Sequence, residues 1–369
     1  MQQSEIIETV NFTSGKSLPQ LRNQCGKRIL AFDLARGIAI IAMVAIHSIV
    51  FIGSEELRTT PIGYLCNSII SFLAAPVFMF IMGLLLTFSS KAPLKRQLLR
   101  GFLIFALGYA LNLFRGTIPI AVALQFEWLA DSENENPLLY LLEDDILQFA
   151  GLALVTLALV KRLLPWKNVW FIIAGLITFI SPLLWNKSVD QPVVNYLVSL
   201  FTGSEIYNFF PFFPWIAFPL FGMGYGELLK TSNKTVFFKI SVLAGIFLGI
   251  IGFILSRFSG DDLFHLLLIG KFRQGQLPPA IIVLFLSFQC IWIPFCYWLS
   301  TCTADNKIFN YFYFWSKNVT SFYFIQWVII GFLCVVLPYL NWPGVVLCII
   351  VVTYFSDMCI RTYNKMLNR

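Results

Sequence analysis

The stretch FDLARGIAIIAMVAIH, residues 32–47, carries an aspartate, an arginine and a histidine inside a run that is otherwise almost wholly apolar. A hydrocarbon environment tolerates such side chains where they face the inside of a bundle and hold one another, a partner or a ligand. On a helix turning ~100° per residue, Asp33 and Arg36 lie about 60° apart and Arg36 and His47 about 20° apart, so all three share one face. At ~1.5 Å of rise per residue, Arg36 and His47 are roughly 16 Å apart along the axis. The stretch predicts a membrane-spanning helix with a single polar face.

The rest of the chain extends that reading. Of 369 residues, 58% are hydrophobic and only 12% charged, and the mean hydropathy is +0.77. A soluble domain carries about 25% charged residues, and apolar windows of ~20 residues, long enough to cross a bilayer, recur here along the sequence. The fold class expected is all-α, a polytopic membrane helix bundle of about ten helices in one domain, 29–369, behind a polar and disordered lead-in, 1–28. The helices are expected near 29–52, 62–89, 97–114, 141–160, 168–185, 209–229, 237–256, 279–299, 313–338 and 343–360. Pro61, Pro93, Pro165, Pro192, Pro278 and Pro343 punctuate their boundaries. The first apolar run starts near Ile29 and is too long for the core of a cleavable signal.

Basic residues set the orientation. With the N-terminus inside, cytoplasmic segments collect Lys16, Arg22, Lys27 and Arg28, then Lys91, Lys95, Arg96 and Arg100. They also collect Lys161, Arg162 and Lys167, then Lys230, Lys234 and Lys239, and finally Arg361, Lys365 and Arg369. The outer loops hold Arg58, Arg115, Lys187, Arg257, Lys271 and Arg273 and are rich in acid, with Glu55, Glu56, Glu127, Asp131, Glu133 and Glu135. This bias predicts both termini on the cytoplasmic side of a multi-pass protein of the plasma (cell inner) membrane. The net charge of +7 is mostly this topological signal and implies no nucleic-acid partner. Eight cysteines without a CxxC pair read as small apolar filler, and two histidines without a ligand cluster give no metal site.

The polar face suggests chemistry through its length. A pantetheine arm is about as long as the gap from Arg36 to His47 estimated from helical rise. A coenzyme A head held at the cytoplasmic end, by Asp33 and Arg36 with Lys95, Arg96 and Arg100 nearby, would present its thioester to His47. An unperturbed histidine titrates near ~6.5, so His47 suits a general base toward an acceptor hydroxyl or amine, or a transient acyl carrier. The competing reading makes Asp33–Arg36 a local pair that fixes the start of the helix, His47 a side chain satisfied by a neighbouring helix, and the surrounding lysines and arginines ordinary topological charge.

RILAFDLARGIAIIAMVAIH, residues 28–47, resembles the first helix of the transmembrane acyltransferases, a group that includes the acyltransferase 3 and heparan-glucosaminide N-acetyltransferase families. Arg36, ten residues and His47 form the Arg-X10-His signature of the first, while DLARGIAIIAMV is closer to the second. APVFMFIMGLLLTFS from Ala75, DDILQFAGLAL from Asp144 and FPWIAFPLFGMGYGELL from Phe213 are similar to that second branch, and WSKNVTSFYFIQW from Trp315 agrees more loosely. In that branch the loop after the first helix carries a histidine and the His47 position tends to asparagine; here the loop FIGSEELRTTPIG has no histidine.

The resemblance implies an acetyl-CoA- or other acyl-CoA-dependent membrane acyltransferase with no permanently bound cofactor. Its acceptor would be a glycan, a lipid-linked sugar or a small molecule on the far side of the bilayer. It also implies an acceptor-side role for Asp145 and Gln148, which fall on one side of a helix at i, i+3, against the plainer reading of Asp145 as a helix cap. In the aromatic cluster YNFFPFFPWIAF, residues 207–218, Trp215 or Phe212 is a candidate for stacking on a sugar, against an interface belt as the default. His265, beside Asp261 and Asp262, reads as a surface residue, and Asn318, Ser321 and Gln326 as packing polarity. The alternative to an enzyme is a transporter or flippase using the same polar face as a pathway. Oligomeric state is left open.

Overall fold

The computed structural model describes residues 29–88, 93–128, 136–185, 187–204, 208–258, 275–302 and 306–367. The lead-in and His265 lie outside the described residues. Within them the chain is helical throughout, with two isolated backbone bridges, Gly53 to Leu340 and Asp144 to Asn208, and no strand. Nine helices among the described residues are long and apolar enough to cross a membrane.

In chain order the first helices are α1 Leu30–Phe51, α2 Glu55–Thr59, α3 Pro61–Leu73, α4 Ala75–Phe88 and α5 Leu94–Asn112. A π-turn, Leu113–Thr117, then leads into α6 Ile118–Gln125, followed by α7 Pro137–Leu141, α8 Ile146–Leu163 and α9 Lys167–Ile180. After a 3₁₀ turn, Ser181–Leu184, come α10 Pro192–Thr202, α11 Phe212–Trp215, α12 Ala217–Thr231 and α13 Lys234–Phe258. The chain closes with α14 Pro279–Cys302, α15 Lys307–Lys317, α16 Val319–Val336 and α17 Trp342–Leu367.

Helix α1 is central and touches α3, α4, α14, α15, α16 and α17. Its small residues explain the access: a Cβ on Gly37 would collide with Phe312, so only glycine lets α15 lie this close. Helices α13 and α14 pair along their length; α14 turns inward, while Leu243, Phe247 and Ile250 on α13 face outward as a lipid-facing surface would.

Four departures from the sequence expectations matter for the site. The expected helix 62–89 is broken at Ala74, whose ψ of −108° lies outside the helical range. Pro76 is the reason, because it has no N–H to give the Phe72 carbonyl one turn back; the Gln289 side chain reaches that carbonyl at 3.5 Å instead. The expected helix 97–114 runs on to Gln125 through the π-turn, so Arg115 sits inside a span and not in an outer loop. Pro119 cannot bond the Arg115 carbonyl, and the ladder slips at that point. The freed carbonyl lies against Gly331 of α16, where any side chain would clash with it. The expected helix 209–229 is divided into α11 and α12; α12, 15 residues long, is buried along most of its length, with Lys230 and Thr231 exposed at its end. The expected helix 313–338 is likewise split at Asn318 into α15 and α16.

Candidate active site

The polar face of α1 makes a separate set of contacts at each end. At the start of the helix Arg36 Nη2 contacts Asp33 Oδ1 at 2.9 Å, and Ser316 Oγ donates to the same oxygen at 2.8 Å. Asp33 is buried and Arg36 half-buried. Lys95, Arg96 and Arg100 are exposed on the opening turns of α5. Nearby, Phe32 meets Phe88, Lys230 lies over the Phe88 ring, and Lys161 Nζ donates to the Leu86 carbonyl. Lys161 and Lys230 thus stand at the last turn of α4, which meets the first turn of α1 through Phe88 and Phe32.

His47, in the last turns of α1, lines a cavity of about 110 Å³ together with Arg115, Asp145, Trp215, Tyr323 and Trp327. Its Nδ1 is 3.0 Å from Gln326 Nε2 and 3.4 Å from Gln326 Oε1, so the amide can serve either tautomer. A base acting through Nε2 needs Nδ1 protonated and donating to Oε1. The Trp327 ring stacks on the imidazole with centroids 3.9 Å apart and planes 29° apart, fixing its orientation. The same indole carries the Arg115 guanidinium 4.5 Å from its centroid, a cation–π contact.

Arg115 is the electrostatic centre of the cavity. Its Nη2 pairs with Glu143 at 2.7 Å, its Nη1 with Asp145 at 2.9 Å, and its Nε donates to Asn112 Oδ1 at 3.1 Å. Asn112 in turn donates to the Leu141 and Glu143 carbonyls, tying the loop before α8 to α5. Tyr323 OH donates to Asp145 Oδ2 at 2.7 Å, so α16 holds the same carboxylate that Arg115 does. Asp145 also caps α8 through its other oxygen, which accepts from the Ile146 amide at 2.7 Å. Two carboxylates against one guanidinium leave the cluster with no spare positive charge. In the loop before α8, burial raises the Glu143 carboxyl against the pull of Arg115. Burial also pushes Asp144 well above the usual carboxylate range, with Asp145 adding to the rise.

The sequence candidates therefore divide. His47, Asp145 and Trp215 meet in one cavity. Asp33 and Arg36 pair with each other at the far end of α1, and Lys95, Arg96 and Arg100 are exposed on the opening turns of α5. Gln148 is fully buried and does not line the cavity: Oε1 accepts from the Asp145 amide and Nε2 donates to the Glu143 carbonyl, completing a capping box. Arg115, Tyr323, Gln326 and Trp327 were not among the sequence candidates. The signal for the last three is their i, i+3, i+4 spacing, which puts three polar-tipped side chains on one face of a span.

A bundle of membrane-crossing helices that gathers a half-buried histidine, a buried arginine and carboxylates around one cavity defines a multi-pass membrane protein with an internal polar site. Residues 28–259 match the family model described as heparan-alpha-glucosaminide N-acetyltransferase, catalytic, and the chain belongs to this transferase family. No curated protein and no solved structure matches the chain. His47, Arg115, Asp145 and Trp215 fall within the matched segment; Tyr323, Gln326 and Trp327 come from beyond it.

Proposed function

We propose that the protein is a membrane acetyltransferase that takes an acetyl or other short acyl group from cytoplasmic acyl-CoA. It passes the group to a hydroxyl or amine of a glycan, glycolipid or small-molecule acceptor on the far side of the membrane. The observation that carries this reading is the layout of α1: a basic end at Asp33 and Arg36, and His47 in a cavity roughly 16 Å further along the helix. Arg36, Lys95, Arg96 and Arg100 are the residues proposed to meet the coenzyme A phosphates, on the cytoplasmic side that the positive-inside pattern assigns to both termini. The plasma (cell inner) membrane is the proposed site.

In this reading His47 removes a proton from the acceptor as its oxygen or nitrogen attacks the thioester carbonyl. The C–S bond then breaks, and the thiolate of coenzyme A recovers the proton from the imidazolium. An acyl-imidazole relay through His47 balances equally well. Asp145, fixed by Arg115 and Tyr323, positions the acceptor side of the cavity. At about 110 Å³ the cavity is smaller than the ~150 Å³ that takes up a benzene ring, which suits a short acyl group with the bulk of the acceptor outside.

The break between α3 and α4 beside this cavity also fits a carrier, whose helices are commonly interrupted at the substrate site. One experiment separates the two. Purified protein in nanodiscs, given [¹⁴C]acetyl-CoA and glucosamine, is expected to produce labelled N-acetylglucosamine, and His47→Ala to lower the rate by ~10²–10⁴-fold without loss of folded protein. Uptake of glucosamine into sealed vesicles without acetylation, or full turnover by His47→Ala, overturns the proposal.

A further inference from the structure

The acyl-transfer reading supplies a base and a path for the donor, but it leaves open what receives the charge that develops on the thioester oxygen. The polar groups of the cavity are largely spoken for. Arg115 is bound to Glu143, Asp145 and Asn112, the Tyr323 hydroxyl to Asp145, and the His47 imidazole to Gln326. Two indoles are different, Trp327 and Trp215, whose Nε1 atoms are both buried without a hydrogen-bond partner; the Trp327 ring is already engaged by His47 and Arg115, which leaves Trp215. Its side chain lines the cavity and is 4% exposed, and its indole Nε1 is buried with no hydrogen-bond partner. Burying a donor without an acceptor is unfavourable, so an indole left in that state beside a cavity calls for an oxygen inside it.

The start of helix α4 borders the same cavity. Ser71, Ala74, Ala75 and Pro76 line it at the break between α3 and α4. Ala75 opens the 14-residue helix α4, and the amides of a first helical turn have no partner within their own helix. Pro76 contributes no N–H, so the Ala75 amide is the foremost donor of that terminus. The helix dipole places partial positive charge there. Two neutral donors and a helix N-terminus suit an oxygen that gains charge during reaction better than a permanent anion, for which an unpaired cation would be the usual partner.

We propose that the Trp215 indole N–H and the Ala75 backbone amide form the carbonyl-oxygen site of the cavity, holding the acyl oxygen as it becomes an oxyanion. This inference rests on the acyl-transfer reading. As the acceptor attacks, the carbonyl π pair moves onto oxygen and is held by these two donors. When the intermediate collapses, the pair returns, the C–S bond breaks, and sulfur leaves to take the proton held by His47. Trp215 then acts as a donor and not as a stacking surface for a sugar.

The test compares Trp215→Phe, which keeps an aromatic ring and deletes the N–H, with Trp215→Leu, which deletes both. Incorporating benzothienylalanine at position 215 preserves the bicycle and removes only the donor, which keeps the test valid if either variant fails to fold. The readouts are thermal unfolding with coenzyme A or acetyl-CoA, and acetyl transfer to glucosamine. Wild type is expected to be stabilised more by acetyl-CoA than by coenzyme A. Trp215→Phe and the benzothienyl protein are expected to lose that acetyl-dependent increment while keeping the unliganded Tm, and to lose ~10²-fold or more in kcat with KM for glucosamine within about threefold. If both retain kcat and the increment while Trp215→Leu raises KM for glucosamine, Trp215 is a stacking platform and the inference is overturned. If wild type neither distinguishes acetyl-CoA from coenzyme A nor transfers label, the acyl-transfer reading fails and this inference fails with it.

Discussion

Arg36 and Arg115 both hold an aspartate at 2.9 Å, yet the two pairs are built differently. Arg36 and Asp33 are three residues apart on one helix; the arginine is half-buried, and the Ser316 hydroxyl also donates to that carboxylate. Arg115 and Asp145 come from different helices. Both are deeply buried, and the pair is braced by Glu143, Asn112, Tyr323 and the Trp327 ring. A local pair with some solvent access can open, exchange partners and meet a ligand at modest cost. A buried cluster that joins α5, the loop before α8, and α16 cannot lose a member without leaving charge in a dry interior. Under the proposed function the first pair suits donor binding, while the second holds the chamber together.

The sharpest way to break this comparison is Arg115→Met. It leaves Asp145 and Glu143 buried without their cation, and removal of one partner from a buried pair costs about 3–5 kcal/mol. We expect a large fall in Tm and in the yield of folded protein in detergent, read by thermal unfolding and size-exclusion chromatography. A variant as stable as wild type would mean that Arg115 serves only the reaction.

Arg36→Lys is expected to do the reverse. If Arg36 grips phosphate or pantetheine amides as a planar fork, lysine keeps the charge and loses the bidentate geometry. A loss of about 1.5–3 kcal/mol is roughly ten- to a hundredfold in acyl-CoA affinity, measured by equilibrium binding, with Tm near wild type. Unchanged affinity with a lower Tm would make Arg36 a structural partner of Asp33.

The smallest effect concerns Asp144, which is buried beside the cluster with Oδ2 lacking a hydrogen-bond partner. Its carboxyl is raised by burial and by Asp145, so the folded protein holds a proton that the unfolded chain gives up above about pH 4. Stability from this group is present at low pH and declines as pH rises through that window toward the raised value. Asp144→Asn should therefore flatten the fall of Tm with rising pH, followed by thermal unfolding from pH 4 to 8. Glu143 shifts in the same direction, so the slope should shrink and not vanish. Parallel curves for variant and wild type would remove Asp144 from the account.

What the sequence determined follows from properties that need no partner. Apolar windows fixed a helical membrane bundle, since backbone polar groups in hydrocarbon must be satisfied within their own segment. The turn of α1 put Asp33, Arg36 and His47 on one face, because 3.6-residue periodicity is a local property of the helix. Other decisions were made by contacts between segments far apart in the chain. Arg115, read as a loop residue before Gly116 and Pro119, is inside a span because the helix absorbs Pro119 in a π-turn and Gly331 accommodates the displaced carbonyl. Gln148, a candidate for the acceptor, has its amide drawn into the cap of α8 by Asp145 and Glu143. Gln326, read as packing polarity, reaches His47 from the other end of the sequence. Helical periodicity can say which residues share a face, but not which face of which distant helix will meet it; that is settled by packing, and here packing assembled the chamber around His47.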